Sequence, residues 1–454
     1  VVQAIIDKQR KFFQTNATRT LDFRIQQLKL LKKMLKSNED DLLDALKIDL
    51  GKSRFEGFVS ELAMVYQEID LAKRRLRRWM KPRCVPSTLF TFPGKSKIYP
   101  EPYGVVLIVS PWNYPVQLTF VPLVSAIAAG NTAFVKLSHA CEHTTQLLKK
   151  IIMETFPSDY IHATEQHQDG NQLLIDHRFD YVFFTGSPTI GKLVMAHCAK
   201  HLTPLTLELG GKSPCIVDET ADLKIAAKRI VFGKVINSGQ TCVAPDYVLA
   251  QRSIRDRLVK EITIAYQTFF PRGVESEDHP SIINDHHWNR LVGLLGGQKN
   301  IVAMEGSCEC RKRPLTLIFD PPLDSPLMKE EIFGPLLPIL VFDSLEEAFS
   351  IIRSIEKPLA LYCFSKRRTT IDTVISSLSF GGGAINDTVL HVANHHLPFG
   401  GIGNSGMGAY HGKKGFDTFT HLKAILHSVN WIDPGFKYPP FNQKMLTFLK
   451  RIVK

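Results

Sequence analysis

The chain reads as an α/β protein: two doubly wound parallel-sheet domains after an N-terminal helical segment. Three observations predict this. Strand-length apolar runs alternate with helical patterns in two successive series. The runs are apolar throughout, as strands covered on both faces are. Polar, glycine-bearing stretches follow them, where open parallel sheets place their ligands.

In chain order, Val1 to Lys81 opens with helical spacing, carried by Leu21, Ile25, Leu28, Leu31 and Leu35 and then by the stretch from Leu42 to Leu50. The first series begins at Gly104. It runs through strand GVVLIVS, helix LTFVPLVSAIAAG, strand TAFVKLS, a helix through TTQLLKKIIMETF, strand YIHAT, a helix about NQLLIDH, and strand YVFFTGS. The second runs from PCIVD through YVLA, LTLIF, LPILVF and LALYCFS to GAIN at 383–386, with helices between. Four polar loops stand out after strands: SPWNYP, KLSHA, TGSPTIGK and ELGGKSP.

Bulk properties narrow the class. A length of 454 residues, 44% hydrophobic, accommodates two or three domains at about 150 residues each. There is no fixed-period repeat or low-complexity stretch, and the N-terminus has neither an initiator Met nor a signal-peptide pattern. The most apolar stretch, Leu118 to Gly130, contains Pro122 and falls short of the roughly 20 residues a membrane span needs. Eight scattered cysteines read as free thiols in a reducing compartment, with Cys308 and Cys310 on a surface loop.

A net charge of +12 is compatible with nucleic acid, an anionic membrane or simple solubility. The basic stretch LAKRRLRRWMKPR interleaves only Trp79 and has no nucleic-acid module beside it, so a solvated helix is expected and no nucleic-acid partner. At the C-terminus Met445, Phe448, Leu449, Ile452 and Val453 form one helical stripe flanked by Lys444, Arg451 and Lys454. Such a helix lies on a membrane surface or docks on its own domain.

Three segments carry chemistry. FFTGSPTIGKL places Gly186, Gly191 and Lys192 at nearly phosphate-loop spacing between a strand and a helix. Leu193 stands where Mg²⁺ needs a hydroxyl, and Pro188 removes an N–H, so nucleotide hydrolysis is not expected. A structural turn, or an anion site built on free glycine N–H groups, the helix dipole and Ser187, remain open. In NSGQTCVAPDY, Cys242 sits among small residues, either as a buried thiol or as a nucleophile. Asn113, between Pro111 and Pro115, offers an amide to a developing oxyanion. Glu208, an acid within an apolar run, is a base with a raised pKa or a cap or ion-pair partner. His391 and His395 have i, i+4 spacing but lack the Glu of a zinc-protease helix, so no metal is expected.

Together PWNYP, FTGS, LELGGKSP, GQTCVAPDY, EEIFGPLLP and LPFGGIGNSGMGAYHGKKGFDTFTH resemble the aldehyde dehydrogenase superfamily, in its order and over essentially the whole chain. GQTCVAPDY, EKPLALY and NSGMGAYHGKKGF look like class 3, which acts on medium- and long-chain aliphatic and aromatic aldehydes and is usually dimeric. The resemblance implies Cys242 as nucleophile, Asn113 with the Cys242 N–H as oxyanion holder, and Glu208 as general base for thioester hydrolysis. It implies NAD or NADP, with Glu331 and Phe333 at the nicotinamide ribose and ring, Lys136 at the adenosine ribose, and Gly186, Ser187 and Gly191 at the pyrophosphate end.

The resemblance also implies a dinucleotide-binding domain of residues 1–81 and 104–208 and a catalytic domain of 209–390. Segments 82–103 and 391–430 would supply a small β bridging or oligomerisation element of a homodimer, and 431–454 would form the tail with its amphipathic helix. One departure is His139, in Lys136-Leu-Ser-His139, where the family usually reads KPSE. An acid there repels a 2′-phosphate and a His does not, so NADP use is expected beside NAD. The implied location is the cytoplasm or the cytosolic face of an intracellular membrane. A catalytically silent structural relative and a coenzyme A-acylating enzyme are the alternatives.

Overall fold

The computed structural model describes residues 2–164, 177–304, 306, 311–433 and 435–453. Most of the expected helix about 171–177, and the Cys308–Cys310 pair, lie outside these residues.

Helices Val2–Gln14, Leu21–Ser37, Glu39–Leu50 and Ala63–Trp79 form the N-terminal segment. Thr20 caps the second by accepting the Phe23 N–H at 3.3 Å. Leu28, Leu31 and Leu35, the stripe that identified it, are fully buried.

Strands β1 (Arg83–Val85) and β2 (Lys95–Pro102) come next, then β3 (Val105–Val109), β4 (Thr132–Lys136), β5 (Ile161–Thr164), β6 (Tyr181–Thr185) and β7 (Leu205–Glu208). The second series is β8 (Pro214–Val217), β9 (Tyr247–Gln251), β10 (Ile301–Ala303), β11 (Thr316–Phe319), β12 (Leu336–Phe342), β13 (Ala360–Phe364) and β14 (Gly382–Ile385). Strands β15 (Gly406–Met407) and β16 (Thr420–His427) complete the set.

The first sheet has the order β15-β7-β6-β3-β4-β5 and the second β10-β11-β12-β9-β8-β13-β14. Both are parallel except for one antiparallel edge strand each, β15 and β10. Every residue of β3, β8 and β13 is buried, which is the double coverage that continuous apolar runs predicted. The helix Gln117–Ala129, buried along its whole length and tolerating Pro122, covers the first sheet.

The two edge strands escape a pattern reading. β10 is three exposed residues and β15 only Gly406 and Met407, so neither is long enough to show a strand pattern. β15, within the segment 391–430, contributes an edge to the first sheet, Gly406 pairing with Glu208.

Two compact units emerge. One is Val1–Trp79 with Pro102–His421, containing both large sheets. The other is Met80–Glu101 with Leu422–Lys454, where β1, β2 and most of β16 pair and the tail helix Gln443–Val453 lies. Among the described residues no helix is long and apolar enough to cross a membrane.

Candidate active site

The loop after β3 carries Asn113, and it is held from both sides. The Asn113 backbone carbonyl accepts from Lys52 Nζ at 3.0 Å and from Asn237 Nδ2 at 2.7 Å. The Asn113 side chain donates from Nδ2 to the Gln240 carbonyl at 3.0 Å. An amide nitrogen has two hydrogens, so that bond fixes the amide plane and leaves one donor for a ligand. The neighbouring Tyr114 hydroxyl lies 2.7 Å from Thr241 Oγ1. Asn113 is thus locked to the segment immediately before Cys242.

That segment follows the helix Leu223–Val235 by an unusual turn: Asn237, Ser238 and Gly239 are all left-handed, with φ of 49°, 55° and 74°. Left-handed backbone disfavours residues with a Cβ, so bonds must hold it. Glu56 Oε1 accepts the Asn237 N–H at 2.8 Å. The Gln240 side chain spans the turn, donating to the Asn237 and Ser281 carbonyls and accepting the Ile283 N–H at 2.9 Å. Cys242, partly exposed, then stands before β9.

Glu208 is the last residue of β7 and is buried, and neither of its carboxylate oxygens has a hydrogen-bond partner among the described residues. Burial pushes its pKa well above the ordinary carboxyl value. Glu331, in the loop before β12, rises to about 8, chiefly through burial and then the charge of Asp246, against a backbone N–H from Gly211. The Cys242 thiol is also driven up, by burial first and then by the carboxylates of Glu331 and Glu208. These couplings gather Cys242, Glu208 and Glu331, and the Gln240 contact adds Asn113.

The Glu331 loop has its own bracket. Arg290 donates to the Glu331 carbonyl at 3.2 Å and to the Ile332 carbonyl at 2.5 Å. Asp246 accepts the Ile332 N–H at 3.1 Å and pairs with Lys212 at 2.5 Å, and Lys212 also donates to the Leu327 and Glu330 carbonyls. Phe333 is left-handed at φ 49° and meets Trp112 edge to face at 5.3 Å. Gly210 must lack a side chain, because a Cβ there would collide with the Glu331 carboxylate. Lys212, Asn237, Gln240 and Asp246 fall inside the stretches LELGGKSP and NSGQTCVAPDY, where sequence reasoning passed over them; Lys52 and Arg290 carry no local signal.

The loop FFTGSPTIGKL takes a definite form. Pro188 occupies the first position of the helix Pro188–Ala199, where no N–H is needed, and Ser187 caps it by accepting the Ile190 N–H at 3.4 Å. The expectation of free glycine N–H groups is corrected. Gly186 donates to the Glu208 carbonyl at 3.0 Å and Gly191 to the Ser187 carbonyl at 2.9 Å. Gly191 serves packing instead, since a Cβ there would come 2.7 Å from Leu209 Cδ2. What favours an anion here is the helix dipole and the exposed first turn. Lys136 ends β4, its ammonium pKa lowered by burial, and His139 is exposed three residues beyond. No group of three or more metal-ligating side chains occurs among the described residues.

A model of the aldehyde dehydrogenase family matches residues 1–425. The 4,4'-diaponeurosporen-aldehyde dehydrogenase of Staphylococcus aureus is 46% identical, over 96% of this chain and 95% of its own. The dimeric, NADP-preferring aldehyde dehydrogenase of the dog, Canis lupus familiaris, is 42% identical over 98% and 99%. The solved structure described as the substrate-bound state of Staphylococcus aureus AldH superposes with a TM-score of 0.96 at 45% identity, covering all of both chains. With a thiol, two buried carboxyls and a fixed amide gathered beside two doubly wound sheets, the chain belongs to the aldehyde dehydrogenase family.

Proposed function

We propose that the protein oxidises medium- and long-chain aliphatic or aromatic aldehydes to carboxylic acids with NAD or NADP, as a homodimer. One observation carries the reading: the Asn113 amide is bonded to the residue two before Cys242, while Glu208 lies close enough to raise the Cys242 pKa. Cys242, its thiol proton released to bulk water, attacks the aldehyde carbon as the thiolate, and the second hydrogen of Asn113 Nδ2 and the Cys242 N–H hold the oxyanion that forms. A nicotinamide held beside Glu331 and Phe333 would supply the hydride acceptor needed to oxidise this adduct to a thioester. Glu208 then takes a proton from water attacking the thioester, and the departing sulfur recovers its proton as the carboxylate leaves. An acid poised for hydrolysis favours this over transfer to coenzyme A. Retention of all three groups also speaks against a silent structural relative.

The residues fit a dinucleotide. Glu331 Oε1 is buried with no partner among the described residues and suits a ribose hydroxyl, Phe333 and Trp112 offer ring faces, and the Ser187-capped turn suits a pyrophosphate. Lys136 would hold the adenosine ribose, and His139 would tolerate a 2′-phosphate there. The relatives' names, one for a 4,4'-diaponeurosporen aldehyde and one for a dimeric, NADP-preferring state, support long apolar substrates, NADP use and a dimer.

NADH and NADPH formation should be measured with hexanal, hexadecanal and benzaldehyde. Turnover is expected with each and lost in Cys242→Ala; a Cys242→Ala variant of wild-type activity would overturn the mechanism. The tail helix presents Phe448 at 57% exposure beside Lys450 and Arg451. It suits the cytosolic face of a membrane. Removing residues 443–454 should weaken liposome binding, and unchanged binding would refute the contact.

A further inference from the structure

Lys52 and Glu61 form an ion pair at 2.6 Å in which both side chains are fully buried. They come from different elements, Lys52 from the turn after the helix Glu39–Leu50 and Glu61 from the π-turn Phe58–Leu62. Neither belongs to any stretch that carries the catalytic groups. Burying two charges costs several kcal/mol each before their attraction is counted, so a buried pair is weak grounds for stability by itself. The remaining bonds of the pair show where its effect goes.

Lys52 Nζ donates to the Asn113 carbonyl at 3.0 Å and lies 3.9 Å from the centre of the Tyr114 ring. Glu61 Oε2 accepts the Val116 N–H at 3.0 Å and the Gln117 N–H at 2.9 Å. The two carboxylate oxygens divide the work, Oε1 facing the ammonium and Oε2 the start of the helix Gln117–Ala129. The pair therefore grips residues 113, 114, 116 and 117. Charge-assisted bonds are shorter and about twice as strong as neutral ones, and here all are dry.

We propose that Lys52 and Glu61 are positioning residues for the oxyanion step, acting through Asn113: they fix its backbone so that the free hydrogen of Nδ2 meets the developing charge. This rests on the reading of Asn113 as the oxyanion donor. An oxyanion donor works by being in place before charge develops, and a misplacement of about 1 Å costs on the order of 10²-fold. The Asn237 and Gln240 bonds orient the same residue from the Cys242 side. Without the Lys52–Glu61 grip, they would hold one edge of a loop free to shift on the other.

The test is a double-mutant cycle on the acylation step, read as the pre-steady-state burst of NADH with benzaldehyde. Lys52→Met combined with Glu61→Leu removes both charges and leaves no unpaired ion in the core, which keeps the fold; thermal unfolding checks this. In the Asn113 background the double variant should slow the burst at least tenfold, with the KM for NAD unchanged. In the Asn113→Ala background it should slow it less than twofold, because the group it positions is gone. Lys52→Arg, which keeps the charge, should recover part of the rate. Equal losses in both backgrounds, or a burst unaffected by the double variant, would overturn the proposal. A burst unaffected by Asn113→Ala itself would instead overturn the reading of Asn113.

Discussion

The two arms of the site are built on opposite plans. On the Asn113 arm the backbone carbonyl takes two donors and the side-chain amide a third partner, so nothing is free to move except one hydrogen. On the acid arm both oxygens of Glu208 and one of Glu331 are buried with no partner among the described residues. Burial raises both carboxyls and the Cys242 thiol. The difference fits the proposed tasks. A donor that stabilises charge must be rigid beforehand, whereas a general base, the role proposed for Glu208, must keep ionisation costly enough to reverse near neutral pH.

Glu208→Gln should break the acid arm most severely. The burst of NADH survives while steady-state turnover falls about 10³-fold, since removing a general base costs about 10²- to 10⁴-fold. In the wild type hydrolysis should gain as pH rises through the elevated pKa of Glu208, and the variant should lose that limb. Stopped-flow and steady-state rates over pH 6–10 check both. Asn113→Ala should break the other arm, slowing the burst by about 10²-fold, and it should slow hydrolysis of a preformed acyl-enzyme too, because water attack on the thioester places charge on the same oxygen.

The smallest effect sharpens the electrostatic side. Glu331, raised to about 8 from 4.5, keeps its proton in the folded chain where the unfolded chain has released it. Its contribution to stability therefore falls as pH rises from about 4.5 to about 8. Glu331→Gln should gain in melting temperature relative to wild type between pH 5 and pH 8.5. Because its charge also raises the Cys242 pKa, the same variant should be alkylated by iodoacetamide a few-fold faster at pH 8.

What the sequence made legible depended on how local each signal is. Strands such as Val105–Val109 and Ala360–Phe364 announce themselves because every residue is apolar. Cys242, Asn113 and Glu208 are each ambiguous alone, and the family resemblance drew them together. The supporting cations were harder. Lys52 lies 61 residues from the carbonyl it holds, and Arg290 is 41 residues from Glu331, so no window along the chain displays either partnership. The glycine N–H groups of the loop after β6 misled for the same reason, since their acceptors include a carbonyl on the neighbouring strand.

The left-handed turn at Asn237, Ser238 and Gly239 sets a limit on improving this protein. Two of its residues pay about 1–2 kcal/mol each for carrying side chains there, so replacing Asn237 with Gly relieves conformational strain. The same change deletes the amide that holds the Asn113 carbonyl. Relief of the backbone at position 237 and loss of the two bonds its amide donates are similar in size, so a glycine there brings no gain in heat resistance to set against a loosened loop at Asn113.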